Sequence, residues 1–445
     1  MIGEIISKSA VDLAAIGANN EIALQEENGN YFITGGAGAG KSRALCLIRD
    51  ALRERKLRVA SLGSTGIAAV NIGGQTIHSF FGFGICPSLE DLIAHDKRNK
   101  RLIKKIETMI GALNTILIDE ISMVGANLME MIYYRLQSAG FGGRIVLAGD
   151  FYQLPPVERR TQQNLFTARY AFESEAWRAL NPKFLELNAL WRSSDQDFIE
   201  LLGALRVGVL DDRGEKLLRT YASQTEVLQN NPTLLFGRNR EADAHNEARL
   251  KRLIAEEYRF EAAIEVAKEM NEKRLSSFLR SLNAPLTLKL KVGAPILFIV
   301  NETGSFYNGE RGVITAIRED TLIVEKANGE TIEVERHSFT YEEQSGEESP
   351  KVLASVTQFP VRLAWAITIH KSQGMGILDL AINLDHLFES GQFYVAIGRA
   401  IDPKRLYLQS SFDPIRRIRS ALYPNPSVDR FYELERSKIK GVKIY

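Results

Sequence analysis

Gly35-Gly36-Ala37-Gly38-Ala39-Gly40-Lys41-Ser42 is the stretch whose residue types and spacing point most directly to chemistry. It satisfies G-x-x-x-x-G-K-[ST], the phosphate-binding loop, and stands where that loop must stand. An apolar run, Tyr31-Phe32-Ile33-Thr34, precedes it and a helical pattern from Lys41 to Glu54 follows. Glycines let the backbone curl until successive N–H groups face phosphate oxygens, and the helix adds its positive N-terminal end. In such a loop Lys41 reaches the β- and γ-phosphates and Ser42 coordinates Mg²⁺. The backbone from Gly35 through Gly36, Ala37, Gly38 and Ala39 to Gly40 forms the cradle.

A second pair of residues fits the same chemistry. Asp119-Glu120 ends the apolar run Ile116-Leu117-Ile118. A carboxylate at that strand end holds the water shell of Mg²⁺, and its neighbour polarises an attacking water; Glu120 is therefore the expected general base. Kinases, switches, transporters and motors share these two motifs. Further along, Gly149-Asp150-Phe151-Tyr152-Gln153-Leu154-Pro155-Pro156-Val157 follows another apolar run, Arg144 to Ala148. A Gln at such a strand end can sense the γ-phosphate while its loop leads onward. Two more segments share this density of polar chemistry: Leu363 to Gly374, which contains Thr368-Ile369-His370-Lys371-Ser372-Gln373, and Gly391 to Arg399, a helical pattern presenting Arg399.

The elements that must position these residues are legible as an alternation. Strands at Tyr31–Thr34, Val59–Leu62, Thr115–Asp119 and Arg144–Ala148 alternate with helical patterns, which predicts a parallel sheet with helices on both faces. The pattern then restarts with Phe184–Leu187, a stripe of Phe198, Leu201, Leu202 and Leu205, a strand at Pro232–Phe236 and a polar helix holding Arg238, Arg240, Asn246 and Arg249. Leu380–Leu384 and Leu406–Leu408 complete this second α/β set, and the boundary is expected near Pro155-Pro156. Two segments break the rhythm. Residues 83–112 carry the run Asp96-Lys97-Arg98-Asn99-Lys100-Arg101 with Lys104 and Lys105. Residues 287–355 hold short β-like runs split by Asn308-Gly309 and Asn328-Gly329, with an acidic patch from Glu342 to Glu348, which suggests a small antiparallel barrel.

Composition bounds the answer without choosing it. The chain has 445 residues, 56 Lys plus Arg against 55 Asp plus Glu, and a formal net charge of +1. Its 45% of apolar residues excludes a disordered chain, and near-neutrality argues against a basic tail while leaving room for a local basic groove. Two cysteines, Cys46 and Cys86, exclude a disulfide framework. The first thirty residues show no signal-peptide pattern and no run of about eighteen apolar residues occurs, so a soluble chain in the cytoplasm, with no membrane partner, is expected.

Taken in order, the motifs resemble those of a superfamily-one helicase of the Pif/RecD-like branch, and most of all the Pif family of DNA helicases. The set comprises the phosphate loop, Ser64-Thr65-Gly66-Ile67-Ala68-Ala69 with Thr76-Ile77-His78-Ser79-Phe80, Asp119-Glu120-Ile121-Ser122, the Gln153 segment, Thr368 to Gly374, and Arg399. It covers the chain from about residue 30 to residue 432. The resemblance implies an α/β protein with two RecA-like P-loop domains, ATP in the cleft between them, and 5′-to-3′ movement on single-stranded DNA. It divides the chain into residues 1–157 (domain 1A, with a 1B insertion at about 83–112), 158–286 with 356–445 (domain 2A), and 287–355 (an SH3-like 2B insertion).

Residue roles follow from the same likeness. Lys41, Ser42, Asp119, Glu120 and Gln153 come from the first domain. Arg192, in Leu190-Trp191-Arg192, and Arg399 come from the second and act as arginine fingers; Gln373 and Gly374 lie toward the nucleotide. Thr65, His78, Ser79, Thr368, His370, Lys371 and Ser372 match positions near the strand, where hydroxyls, imidazole and ammonium contact phosphates without reading sequence. Phe80 and Phe81 offer either a stacking face for a base or core packing. Expected partners are ATP, Mg²⁺, single-stranded DNA and tailed or forked duplex, with the free protein a monomer. The chain departs from the family's pattern in three places. No clear adenine-reading Gln stands upstream of the loop, Gln25 being too close; Gly376 replaces a common Thr, and Gly398 the usual Ser before Arg399. The rival readings are an ATP-gated nucleic-acid clamp and a small-molecule kinase.

Overall fold

Five consecutive buried residues, Tyr31–Gly35, make strand β1, and their unbroken apolar character fits a strand covered on both faces. The computed structural model describes residues 29–440 apart from 85, 157–168, 188–194, 283, 301, 303, 307–309, 327, 344–350 and 424. It divides into two compact units, Met1–Gln229 with Gly376–Tyr445, and Asn230–Met375.

In the first unit β1 is followed by helix α1 (Lys41–Glu54), β2 (Val59–Gly63), β3 (Gln75–Thr76), helices α2 (Leu89–Arg98) and α3 (Lys100–Gly111), β4 (Thr115–Asp119), helix α4 (Ala126–Ser138), β5 (Arg144–Ala148) and β6 (Lys183–Leu187). These strands form one parallel sheet in the order β3-β2-β4-β5-β1-β6. Alternate residues along each strand face opposite sides. Ile116, Ile118 and Leu147 pack with Phe81, Ile106 and Ile132 in one core, whereas Leu117 and Val146 pack with Leu45, Ile48 and Leu52 of α1 in another. The sheet thus carries helices on both faces, as the alternation predicts. β6 is a correction. Its residues were expected to open the second α/β set, yet they pair in parallel with β1, with Tyr31 opposite Lys183 and Gly35 opposite Leu187. Phe184 joins the first core and Leu185 and Leu187 the second, so β6 obeys the same alternation as its neighbours.

Three further helices of this unit matter below: α5 (Gln196–Arg206), α6 (Gln392–Ile397) and α7 (Pro426–Lys440). Every residue of α6 is buried. Val428, Phe431 and Tyr432 of α7 enter the core with Phe32, Phe151 and Trp177, and Phe431 stacks on Phe172 at 4.3 Å. Strands Leu380–Asn383 and Leu406–Gln409 pair in parallel.

In the second unit Thr233–Phe236 pairs in parallel with Ala366–Thr368. Helix Asn239–Arg252 locks onto that pair through the Asn246 side chain, which accepts from the Ala366 N–H at 2.8 Å and donates to its carbonyl at 2.8 Å. Between them the chain is antiparallel. Strands Thr331–Glu335, Thr321–Lys326, Arg311–Ile317, Pro295–Phe298 and Val361–Leu363 form one sheet in that order. Tyr258–Glu261 pairs with Thr287–Leu290, and His337–Glu343, Lys351–Gln358 and Ala263–Val266 make a third group. Leu288, Leu290, Ile296, Phe298, Leu322, Val324 and Val334 share one core. At Asn328-Gly329 the chain turns back with Gly329 at φ 83°, in the left-handed region that glycine enters without strain. The antiparallel part is wider than residues 287–355, since strands from Tyr258 and up to Leu363 belong to it. Asn308-Gly309 and most of the acidic patch lie outside the described residues.

Candidate functional site

β1 delivers the chain into the Gly-rich loop, where Gly38 and Gly40 stand at φ 82° and 84°. A side chain at either would be strained there, which is why the loop is built of glycine. α1 begins at Lys41 with no side-chain cap, so the amides of its first turn are not satisfied by a capping side chain and favour an anion. Lys41 is buried and its Nζ donates to the carbonyls of Gly35 (2.9 Å) and Gly36 (3.0 Å). Burial lowers its pKa, opposed by the charges of Asp150 and Glu120.

β4 runs parallel in the same sheet and ends at Asp119. The Ser42 hydroxyl donates to Asp119 Oδ2 at 2.6 Å, and the Glu120 N–H donates to Asp119 Oδ1 at 2.9 Å. Asp119 is 1% exposed; burial, then the charge of Glu120, raises its pKa to about 7. Glu120, half-buried, holds a left-handed backbone at φ 53°, a conformation that non-glycine residues rarely adopt and that concentrates at functional sites. Lys41, Ser42, Asp119 and Glu120, read from two segments far apart in the chain, are thus brought together.

Gln153 follows β5, is 4% exposed, and its N–H donates to the Asp150 carbonyl at 2.9 Å. Arg399 lies just past α6, is 3% exposed, and its Nε donates to the Val395 carbonyl at 2.9 Å. A Cβ added to Gly398 would stand 2.8 Å from the Ala37 Cβ, so this end of α6 abuts the phosphate loop. Arg192 lies outside the described residues, as does Gln25.

Thr65 is half-buried and its Oγ1 accepts from the Ala68 N–H at 3.2 Å, capping a short helix, Gly66–Asn71. His78 and Ser79 are exposed on the next short helix, Ile77–Phe81. Of the two readings for Phe80 the structure favours core packing: at 5% exposure it packs edge-to-face on Phe81 at 4.9 Å inside the core. In the second unit Thr368 and Ser372 are buried with their hydroxyls turned to backbone; Thr368 Oγ1 accepts from the Lys371 N–H at 3.4 Å and Ser372 Oγ donates to the Ile369 carbonyl at 2.8 Å. They shape the turn, and His370 and Lys371 are its part-exposed residues. Burial, then the Arg362 charge, lowers the Lys371 pKa to about 8, with Asp243 opposing. Gln373 is buried and Gly374 turns at φ 84°.

Behind the phosphate loop lies a buried ionic cluster that no motif in the sequence marks. Asp150, 0% exposed, receives Arg206 Nε on both oxygens at 3.2 Å. Arg206 also donates to Glu186 at 3.0 Å, and Arg436 donates to Glu186 at 2.7 and 2.9 Å. Tyr432 Oη accepts from the Phe151 N–H at 3.1 Å and lies 2.8 Å from Thr34 Oγ1. The only local signal was Arg206 at the end of an otherwise apolar stripe.

Residues 14–216 match the family model described as PIF1-like helicase. The chain is 41% identical over 401 residues to the ATP-dependent DNA helicase Pif1 of Campylobacter jejuni, covering 86% of this chain and 89% of that one. The crystal structure of Pif1 helicase from Candida albicans superposes with a TM-score of 0.77 at 30% identity, over 96% of this chain and 98% of the other. Pif1 helicase from Bacteroides in complex with ADP-AlF3 and ssDNA superposes with a TM-score of 0.73 at 26% identity, covering 93% and 95%. With its motifs in the family's order and its likeness running nearly end to end, the chain belongs to the Pif1-like family of ATP-dependent DNA helicases.

Proposed function

We propose that this protein hydrolyses ATP with Mg²⁺ to move 5′ to 3′ along single-stranded DNA and to open tailed or forked duplex ahead of it, acting from a free state that is monomeric. The observation that carries the reading is the assembly of Lys41, Ser42, Asp119 and Glu120 at the ends of two strands of one parallel sheet. Ser42 Oγ and the Asp119 carboxylate are oxygen donors of the kind a hard cation takes, and a cation relieves a carboxylate buried beside a second one. Mg²⁺ held there would offset charge on the β- and γ-phosphates.

The chain's own residues do the rest. Lys41 exchanges the carbonyls of Gly35 and Gly36 for phosphate oxygens. Glu120 orients and deprotonates the attacking water, and Gln153 senses the γ-phosphate. Arg399 and Arg192 meet charge developing on the transferred group, an effect worth about 10³–10⁵ in rate in GTPase systems. On the family likeness, Gln373 and Gly374 also belong to nucleotide binding. Thr65, His78, Ser79, His370 and Lys371 face the strand, with Thr368 and Ser372 supporting the last two. The parallel elements serve as RecA-like motor halves, α2–α3 as the 1B element and the antiparallel part as 2B. DNA-stimulated ATPase tests the site: Lys41→Ala should lower turnover on the order of a hundredfold or more. Near-normal turnover in that variant would sink the assignment.

A further inference from the structure

Tyr394 lies in α6, five residues before Arg399, and is 1% exposed. Its hydroxyl oxygen accepts the Ala37 N–H at 2.6 Å, and its proton goes to Asp150 Oδ2 at 3.0 Å. Ala37 belongs to the phosphate loop. Asp150 opens the segment that carries Gln153, whose N–H donates to the Asp150 carbonyl. One hydroxyl therefore joins the three pieces that must keep register during hydrolysis. Arg206 fixes the carboxylate from its other side, and burial beside Asp150 holds the phenol far above its ordinary pKa, so the donor stays protonated. Gly398 seats the same helix against Ala37, and Gly391, at its start, lies where a Cβ would stand 2.6 Å from the Tyr152 carbonyl.

We propose that Tyr394 is a positioning residue for ATP hydrolysis, its hydroxyl holding the phosphate loop in register with the Gln153 and Arg399 segments. The proposal rests on the reading of Arg399 as the group that meets transition-state charge. Tyr394→Phe keeps the ring and removes both bonds, leaving a buried amide and a buried carboxylate each short of a partner. A shift of about 1 Å in such an assembly can cost ~10²-fold in rate.

The expected result for Tyr394→Phe is a fall in kcat for DNA-stimulated ATPase of about tenfold or more, with the Kd for ATP within about threefold of the parent. Tyr432→Phe is the matched comparison. It removes a hydroxyl from the same cluster, one bonded to Thr34 of β1, Phe151 and Asp150 and not to the Ala37 amide of the loop, and should lower Tm comparably while leaving kcat within about twofold. Gly398→Ala reaches the same junction with the hydroxyl intact and should also lower kcat. A normal kcat in Tyr394→Phe, a rise in KM alone, or losses of kcat that follow Tm equally in both Tyr variants would each overturn the proposal. Arg399→Ala measured alongside separates the two readings. Normal turnover there defeats the reading of Arg399; a large drop there with normal turnover in Tyr394→Phe defeats only the link through Tyr394.

Discussion

Lys371 shows how burial would tune a proposed contact. Its ammonium has a pKa lowered to about 8, by burial first and the Arg362 charge second. It is charged below that value and neutral above, so attraction to a DNA phosphate is present near neutrality and lost as pH rises through it. Affinity for single-stranded DNA should weaken between about pH 7 and about pH 9, and Lys371→Arg should flatten that dependence because guanidinium stays charged. Equal pH dependence in the two proteins would remove Lys371 from the interface. At this scale the sequence was readable wherever chemistry demands fixed residue types a few positions apart, as in Gly35–Ser42 and Asp119-Glu120. It was not readable where partners meet through the fold. Arg206 and Asp150 are separated by 56 positions, and Tyr394 and Asp150 by 244, so no local spacing announces them. Phe80 illustrates the converse, for an aromatic beside a DNA motif reads the same whether it faces a base or the core.

The helices α2 and α3 bury Leu92, Ile103, Ile106 and Ile110 and leave Lys97, Arg98, Lys100, Arg101, Lys104 and Lys105 exposed. Asp96, from the same run, faces inward and accepts the buried Arg135 at 2.7 and 3.0 Å. The run is thus divided between a tether and a basic face. Replacing Lys100, Arg101, Lys104 and Lys105 with Gln should weaken DNA binding and reduce its salt dependence by about 0.9 in log–log slope for each duplex phosphate released. An unchanged slope would mark the face as merely solvated. Arg135→Ala should instead act on stability, costing about 3–5 kcal/mol in denaturant unfolding because Asp96 loses its charge partner. Element boundaries such as Lys41–Glu54 and Thr115–Asp119 were legible because period and apolar run end together. Pairing was not. β6 carries the alternation of any buried strand, and only the crossover decides which sheet it joins. The outer antiparallel strands, Tyr258–Glu261 and Val361–Leu363, lie beyond the turn-rich stretch that advertised the rest.

Across the whole molecule, near-balance between 56 basic and 55 acidic residues fits binding by a narrow strip rather than a charged surface. Acidic residues stand beside Lys41 and pair with Arg206 and Arg436 in the buried cluster, while α2–α3 expose Lys97, Arg98, Lys100, Arg101, Lys104 and Lys105. Among the described residues no helix is long and apolar enough to cross a membrane. A clamp that binds without opening duplex would need neither Glu120 as a base nor Arg399 against transition-state charge. The most direct test is therefore ATP-driven strand separation on two duplexes that differ only in carrying a 5′ or a 3′ single-stranded tail. Opening of the 5′-tailed duplex, dependent on ATP and Mg²⁺, with the 3′-tailed one left intact, is the predicted result. Preferential opening of the 3′-tailed duplex, or hydrolysis with neither opened, would contradict it.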